Sequence, residues 1–212
     1  MNLKKRSLKD CGLYVIIDRE ISGDRDIVEI TRDVLRGGAD IIQLRDKLSN
    51  DRSLIIAAKR IKDLACEYGT IFIINDRSDI ALISGADGVH LGQDDMSPVE
   101  ARKILGDKII GFSTHSIEQI EAAARKPIDY IGIGPIFKSS TKTALEPIGS
   151  SILRNIFDRC NVPYFPIGGI NLKNIHELTD IGVRGIAVTS SAIGKSDVCG
   201  SVRELKKTLK GD

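Results

Sequence analysis

The sequence predicts an α/β protein, a single-domain (β/α)8 TIM barrel, and three observations predict it. Short apolar runs of strand length recur eight times, and segments with helical periodicity lie between them. Polar residues follow nearly every run, as in a barrel that carries its site at the carboxyl ends of its strands. The rival is an open doubly wound sheet, which gathers such residues at one switch point. No G-x-G-x-x-G sequence opens the first helix, which further disfavours that sheet.

The predicted strands are continuous apolar runs, which indicate a parallel sheet that is covered on both faces. They are expected near residues 13–17, 40–46, 71–76, 88–92, 109–114, 130–136, 164–169 and 185–190. Eight such units close naturally into a barrel.

The predicted helices are supported by residues typical of helix ends. Helical periodicity covers residues 24–36, 52–68, 98–105, 117–125, 172–179 and 202–209. Ser97, Pro98 and Glu100 have the pattern of an N-cap, a first-turn proline and a capping-box glutamate. A weak repeat ends helices and leads into strands, in Gly38-Ala39-Asp40, Gly85-Ala86-Asp87 and Gly182-Val183-Arg184.

Length and composition suit one domain that spans residues 1–212. The 31 basic and 29 acidic residues give a net charge of +2, so we expect no nucleic-acid partner. No run is long enough to span a bilayer, and no apolar segment follows the basic start, so we expect a cytoplasmic protein without a membrane partner. The four cysteines are scattered and are expected to be reduced thiols. The sequence leaves open whether the chain forms a homo-oligomer.

Three polar residues lie at alternate positions of the second predicted strand. Gln43, Arg45 and Lys47 should point to one face, the inner face at the barrel mouth. Two cations in such a place favour an anionic ligand, and a phosphorylated substrate would supply it. The alternative is that Arg45 and Lys47 form structural ion pairs with Asp46 or with a carboxylate on a neighbouring strand.

Carboxylates follow the next two predicted strands. Asn75 and Asp76 end the third strand, and Asp94 and Asp95 follow the fourth. Neighbouring strands could bring two carboxylates to one hard cation, and Mg²⁺ binds through one or two carboxylates plus substrate phosphates. The alternative is that these aspartates only cap helices or lie in solvated loops.

A second anion site is indicated farther along the chain. Gly168-Gly169-Ile170-Asn171 follows the seventh strand and Thr189-Ser190-Ser191-Ala192 the eighth, and these two loops commonly bind phosphate in barrels. The loop 134–143 carries hydroxyls and two lysines that could wrap an anion. A plain tight turn and a solvated connection are the alternatives.

The three histidines differ in their positions. His90, inside the fourth strand, and His176, in a helix, are expected in the core or in solvent. His115 follows the fifth strand, so it could shuttle a proton at the mouth or serve only as a cap or water contact. Ser113 beside it could donate a hydrogen bond to a phosphate.

Taken together, these motifs resemble the thiamine phosphate synthase family over nearly the whole barrel. The resemblance implies three sets of site residues. The pyrimidine pyrophosphate would contact Gln43, Arg45, Lys47, Asn75, Ser113 and Lys142; Mg²⁺ would contact Asp76 and Asp95; and the thiazole phosphate would contact Ser139, Ser140, Thr141, Gly169, Thr189 and Ser190. The sequence departs from the family pattern at Lys138 and Ser139, where the family usually has Pro and then Thr.

The resemblance also implies a reaction of thiamine biosynthesis, an alkyl-group transfer. Hydroxymethylpyrimidine pyrophosphate would lose pyrophosphate to give a pyrimidine-methyl cation, which the nitrogen of a thiazole phosphate captures. Arg45, Lys47 and Lys142 would stabilise the leaving group electrostatically. Two alternatives remain: an isomerase similar to thiazole tautomerase, which would use a histidine such as His115, and a regulator that binds thiamine-related phosphates without catalysis.

Overall fold

Eight strands in the described part of the chain form one parallel sheet. The computed structural model describes residues 7–138, 146–154, 156 and 160–211. Within them the strands are β1 (Leu13–Asp18), β2 (Ile41–Arg45), β3 (Ile71–Asn75), β4 (Gly88–Leu91), β5 (Ile109–Thr114), β6 (Tyr130–Ile133), β7 (Tyr164–Pro166) and β8 (Ile186–Val188). Their order is β7-β6-β5-β4-β3-β2-β1-β8, and a parallel bridge between Ile167 and Ala187 joins the two ends. The barrel that the sequence predicts is confirmed.

Helices connect the strands. The described residues include a 3-10 turn at Leu8–Asp10 and the α-helices α1 (Arg19–Ser22), α2 (Ile27–Gly37), α3 (Asp51–Tyr68), α4 (Ser78–Ile83), α5 (Pro98–Leu105), α6 (Ile117–Ala123), α7 (Ser151–Arg154), α8 (His176–Thr179), α9 (Ser190–Ile193) and α10 (Val198–Lys210). The sequence missed α1, α4, α7 and α9 because a helix of four to six residues is too short to show a period. Helix α2 begins later than predicted because Asp26 caps it, accepting a hydrogen bond from the Val28 N–H.

No helix in the described ranges combines the length and the apolar character that crossing a bilayer would need.

The strands bury both of their faces, which explains their unbroken apolar sequences. On β1, Leu13, Val15 and Ile17 pack toward the helices, whereas Tyr14 and Ile16 belong to a separate cluster inside the barrel. The inner cluster also contains Cys11, Ile41, Ile71, Ile73, Tyr130, Phe165 and Ala187. Because side chains alternate along a strand, these residues identify which positions of each strand face the barrel interior.

The Gly-Ala-Asp repeat has a structural role at the amino ends of the strands. Asp40 accepts hydrogen bonds from the backbone N–H groups of Gly12 and Leu13, at 2.8 and 2.9 Å. Asp87 accepts one from the Phe72 N–H at 3.0 Å. Each buried carboxylate thus satisfies a backbone donor at the start of the preceding strand, at the end of the barrel opposite the predicted site.

Candidate active site

A cavity of about 450 Å³ opens within the barrel at the carboxyl ends of the strands. Residues predicted for both anion sites line it: Gln43, Arg45, Asn75, Ser113, Gly169, Thr189 and Ser190. Tyr14, Tyr130 and Phe165 also line it and belong to the inner cluster, so they form its floor. One continuous space therefore joins the two predicted anion sites.

Arg45 is held at the cavity by an ion pair. It ends β2 beside Asp18, the last residue of β1, and its Nη1 lies 2.5 Å from Asp18 Oδ2 and 3.5 Å from Glu20 Oε2. Asp18 also caps α1 by accepting a hydrogen bond from the Glu20 N–H at 2.9 Å. Arg45 therefore does form an ion pair with a carboxylate on the neighbouring strand, which was the alternative to ligand binding. The pair leaves the guanidinium in the cavity wall.

Gln43 lies two residues before Arg45, on the same face of β2 but deeper in the barrel. Its side chain is buried, and its Nε2 donates to the Tyr14 Oη at 2.5 Å. The amide therefore links the cavity wall to the aromatic floor.

The expectation that Lys47 continues the inner face of β2 is wrong. The strand ends at Arg45, and Asp46 begins a turn in which its Oδ1 accepts from the N–H groups of Leu48 and Ser49. Lys47 is half exposed, and its Nζ lies 3.0 Å from Asp76 Oδ2. The turn thus directs the lysine toward Asp76, which follows β3, and an ion pair joins the two.

Asp76, which follows β3, and Asp95, which lies in the turn after β4, bring their carboxylates together, as the sequence predicted. Asp76 has φ 61°, the one positive φ among the described residues that are not glycine, and aspartate tolerates this region better than most residues. Its carboxylate contacts that of Asp95, which also accepts a hydrogen bond from the Gly92 N–H at 2.7 Å. Burial, followed by the Asp76 carboxylate, raises the pKa of Asp95.

This carboxylate pair fits a hard divalent cation. Two neighbouring carboxylates repel when both are ionised, and a cation between them relieves that repulsion. Within the part of the chain that the structure describes, no group of three or more His, Cys, Asp or Glu side chains is placed to hold a metal. Asp76 and Asp95 offer the donor set that Mg²⁺ uses, since Mg²⁺ binds through one or two carboxylates and completes its shell with phosphate and water.

His90 belongs to the cavity wall, whereas the sequence predicted a place in the core or in solvent. Its Nδ1 lies 3.0 Å from the Tyr130 Oη and its Nε2 lies 2.9 Å from the Ser113 Oγ. A signal for this was present in the sequence, because Val89 and Leu91 are apolar and pack outward, which turns His90 inward. His176 begins the short helix α8 and does not line the cavity.

His115 also lines the cavity, and its Nδ1 lies 2.6 Å from the carbonyl oxygen of Gly134. A carbonyl oxygen only accepts, so Nδ1 carries a proton and Nε2 is the basic nitrogen when the ring is neutral. The proton-shuttle role of His115 stays a prediction.

The far end of the cavity is formed by the loops after β7 and β8. Gly169 has φ 64°, and a Cβ at this position would lie 2.5 Å from the carbonyl oxygen of Lys138, so the backbone contact there requires glycine. Thr189 and Ser190 follow β8 and lie at the start of α9. The predicted residues Ser139, Ser140, Thr141 and Lys142 lie outside the described residues.

Comparison with known proteins identifies the family. The family model described as thiamine monophosphate synthase matches residues 13–192. The chain belongs to the thiamine monophosphate synthase family. It is 42% identical over 193 residues to a thiamine-phosphate synthase of Shouchella clausii, covering 90% of this chain and 92% of the relative. It is 41% identical over 196 residues to that of Halalkalibacterium halodurans, covering 92% and 93%.

A solved structure agrees with these relatives of the thiamine monophosphate synthase family. The thiamine phosphate pyrophosphorylase from Pyrococcus furiosus superposes with a TM-score of 0.88 and 38% identity, covering 96% of this chain and 98% of that one. The cavity and its polar wall thus lie in a barrel shared with this family over almost its whole length.

Proposed function

We propose that this chain is a thiamine-phosphate synthase, a transferase that joins hydroxymethylpyrimidine pyrophosphate to a thiazole phosphate. The observation that carries this proposal is that one cavity contains both predicted anion-binding regions. Gln43, Arg45 and Ser113 lie on one side, and Gly169 and Ser190 lie on the other. A reaction between two phosphorylated substrates needs both regions to open to the same space.

In this reaction the bond between the pyrimidine methylene carbon and the pyrophosphate oxygen breaks, and the electron pair leaves with pyrophosphate. The thiazole nitrogen then donates its electron pair to the methylene carbon, which gives thiamine phosphate. Arg45, and Lys47 beyond it, offer positive charge where the leaving group gains negative charge. No protein nucleophile takes part, so positioning and electrostatic stabilisation supply the catalysis.

Asp76 and Asp95 would hold Mg²⁺, which supplies further positive charge for the pyrophosphate. The support for this assignment is the contact between the two carboxylates and the raised pKa of Asp95. Lys47 contacts Asp76 at 3.0 Å, so the lysine and the cation would share this carboxylate or the lysine would turn toward the pyrophosphate. Lys142, the third cation of the proposed leaving-group site, lies outside the described residues.

The test is to incubate the purified protein with both substrates, with and without Mg²⁺, and to measure thiamine phosphate. We expect Mg²⁺-dependent product from the natural chain. Arg45→Ala and Asp95→Ala should lower turnover by about 100-fold, the range for losing one electrostatic contact to developing charge, and leave thiazole-phosphate binding unchanged. The matched control is Asp94→Ala, which removes the adjacent, exposed carboxylate and should retain turnover.

Other outcomes would point to other functions. Isomerisation of a thiazole phosphate without coupling would favour the tautomerase-like alternative, in which the Nε2 of His115 moves the proton. Binding of both phosphates without any product would favour the regulator. Near-normal turnover in Arg45→Ala and Asp95→Ala would contradict the proposed site.

The partners that we propose are small phosphorylated substrates only. The near-balanced charge of 31 basic and 29 acidic residues supports the absence of a nucleic-acid partner. The cytoplasmic location, the absence of a membrane partner and a homo-oligomeric assembly remain predictions from the sequence.

A further inference from the structure

Five side chains form a continuous hydrogen-bonded chain along the floor and wall of the cavity. Gln43 Nε2 lies 2.5 Å from Tyr14 Oη, and Tyr14 Oη lies 2.9 Å from Tyr130 Oη. Tyr130 Oη lies 3.0 Å from His90 Nδ1, and His90 Nε2 lies 2.9 Å from Ser113 Oγ. The two ends, Gln43 and Ser113, are predicted to contact the substrate, whereas the three residues between them have no assigned role.

The number of protons in this chain limits the directions of its hydrogen bonds. Tyr14 and Tyr130 are buried, and burial raises the pKa of both phenols, so each keeps its single proton. The Tyr14 oxygen accepts from the Gln43 amide, and Tyr130 is the remaining partner among the described residues to which Tyr14 can donate its single proton. Tyr130 then accepts from Tyr14, and His90 Nδ1, 3.0 Å away, is the remaining described partner for the single proton of Tyr130.

The same direction continues through the imidazole ring. A neutral His90 that accepts at Nδ1 carries its proton on Nε2, and Nε2 faces the Ser113 oxygen. Ser113 therefore accepts from His90, so the Ser113 hydroxyl can donate its own proton to another acceptor. The opposite direction, which begins with Gln43 rotated to accept, would make Ser113 donate its only proton to His90.

We propose that Tyr14, Tyr130 and His90 are positioning residues that hold the Ser113 hydroxyl as a hydrogen-bond donor toward the pyrophosphate. An anion only accepts, so a serine that had donated its proton to His90 would present oxygen lone pairs to it. The identity of the anion rests on the proposed function. The direction of the chain rests on the contacts alone.

The aromatic floor fixes the geometry that this role requires. Tyr14, Tyr130 and Phe165 pack edge to face, with ring centroids 5.5 to 5.9 Å apart. Gly111 on β5 has no Cβ, and a Cβ there would overlap the phenol ring of Tyr130. The rings are therefore confined, and each hydroxyl is held within reach of its neighbour in the chain.

The first measurement is the tautomer of His90 in the natural protein, from the ¹⁵N signals of labelled histidine, with His90→Gln used to assign them. We expect a protonated Nε2 and an unprotonated Nδ1. A proton on Nδ1 would overturn the proposal, because it reverses the chain. This measurement needs no substrate, so it is independent of whether the protein makes thiamine phosphate.

The second measurement is the affinity for inorganic pyrophosphate with Mg²⁺, together with kcat and KM for both substrates. Tyr130→Phe keeps the ring but removes the proton that Nδ1 accepts, so the His90 tautomers should mix and pyrophosphate affinity should fall about tenfold, as for a lost hydrogen bond to a charged group. The KM for the thiazole phosphate should not change. The matched control is Tyr164→Phe, which removes a phenol from β7 outside the chain.

A conservative replacement separates positioning from folding. His90→Gln offers an amide N–H that can reach Ser113, so it should bind pyrophosphate several-fold more tightly than His90→Leu, the variant with no donor. Unchanged pyrophosphate affinity in Tyr130→Phe, or equal affinities in the two His90 variants, would contradict the positioning role even if the tautomer is as expected.

Discussion

Asp18 shows how one residue serves both the backbone and the site. One carboxylate oxygen caps α1 and the other pairs with Arg45 Nη1. Because Asp18 and Arg45 are register partners at the ends of β1 and β2, the pair is set by strand pairing rather than by side-chain flexibility. The guanidinium is therefore held in a fixed position, which would reduce the ordering cost of binding the proposed pyrophosphate.

Asp18→Asn tests this arrangement. Asparagine caps a helix about as well as aspartate, so α1 keeps its cap, and the free energy of unfolding should fall only by the lost ion pair with Arg45, about 1 to 3 kcal/mol. Without the charged partner Arg45 is less restrained, and the KM for the pyrimidine pyrophosphate should rise several-fold while that for the thiazole phosphate stays constant. Steady-state kinetics with each substrate varied in turn provides the measurement.

The control for this variant is Asp26→Asn, which alters the corresponding cap of α2 and has no arginine partner in the cavity. Its kinetics should match those of the natural chain. A lower KM for the pyrimidine pyrophosphate in Asp18→Asn would contradict the arrangement, since it would mean that Asp18 competes with the ligand for Arg45.

Single residues also show where the sequence was sufficient and where it was not. Arg45, Asn75 and Ser113 could be placed at the mouth because strand alternation and the carboxyl-end rule apply to each strand alone. The pairing of Arg45 with Asp18 needs the register between β1 and β2, and the direction of Lys47 needs the turn at Asp46. Neither can be deduced from the spacing of residues along one strand.

At the scale of elements, three aspartates attach even-numbered strands to the strands that precede them. Asp40, Asp87 and Asp129 stand just before β2, β4 and β6, and each accepts a backbone N–H from the start of β1, β3 or β5. Each also pairs with a cation from a helix: Lys206 on α10, Lys62 on α3 and Arg102 on α5. The three contacts join neighbouring strands and an outer helix at the amino end of the barrel.

The sequence showed only part of this arrangement. The Gly-Ala-Asp repeat marks Asp40 and Asp87, but Pro127 and Ile128 precede Asp129, so the repeat did not include it. The third copy that the repeat suggested ends in Arg184, which has no carboxylate to accept a backbone N–H. The repeat is therefore a consequence of the shared contact and not a reliable marker of it.

The contacts of these aspartates should differ in strength according to how deeply each aspartate is buried. The Asp40 side chain is 1% exposed, whereas that of Asp129 is 40% exposed. Asp40→Ala leaves Lys206 and two backbone donors without their acceptor, so the free energy of unfolding should fall by about 3 kcal/mol. Asp129→Ala should lower it by about 1 kcal/mol, because water replaces part of the contact.

Denaturant unfolding of the two variants measures this ranking, with Asp33→Ala as the control. Asp33 lies on the outer surface of α2 in an exposed pair with Arg36, so its loss should be within about 0.5 kcal/mol. Equal losses in Asp40→Ala and Asp129→Ala would show that burial does not determine the strength of these contacts.

At the scale of the whole molecule, the stabilising aspartates and the proposed site lie at opposite ends of the barrel. Asp40 and Asp87 satisfy backbone groups at the amino ends, while the site residues project from the carboxyl ends. Because the inner cluster and its aromatic floor separate the two ends, polar residues at the mouth can change without exposing the core. The changes in the free energy of unfolding that are caused by variants at the two ends should therefore be additive.

The pH dependence of global stability follows from Asp40. Burial acts to raise its pKa, but the hydrogen bond from Lys206 and those from Leu13 and Gly12 outweigh it, so the pKa lies below the ordinary value of 3.8. A carboxyl with a lowered folded pKa stabilises the fold fully at a pH above its unfolded pKa and loses that contribution as the pH falls through the folded pKa. The contribution should be complete above about pH 5 and decline below about pH 4.

The measurement is the free energy of unfolding of the natural chain and of Asp40→Asn between pH 7 and pH 2.5. At pH 7 the variant should be less stable, because Lys206 loses its charged partner. As the pH falls below about 4, Asp40 of the natural chain becomes protonated on unfolding, so the difference between the two proteins should shrink. A difference that stays constant down to pH 2.5 would contradict the assignment and would mean that the Asp40 contacts do not depend on its charge.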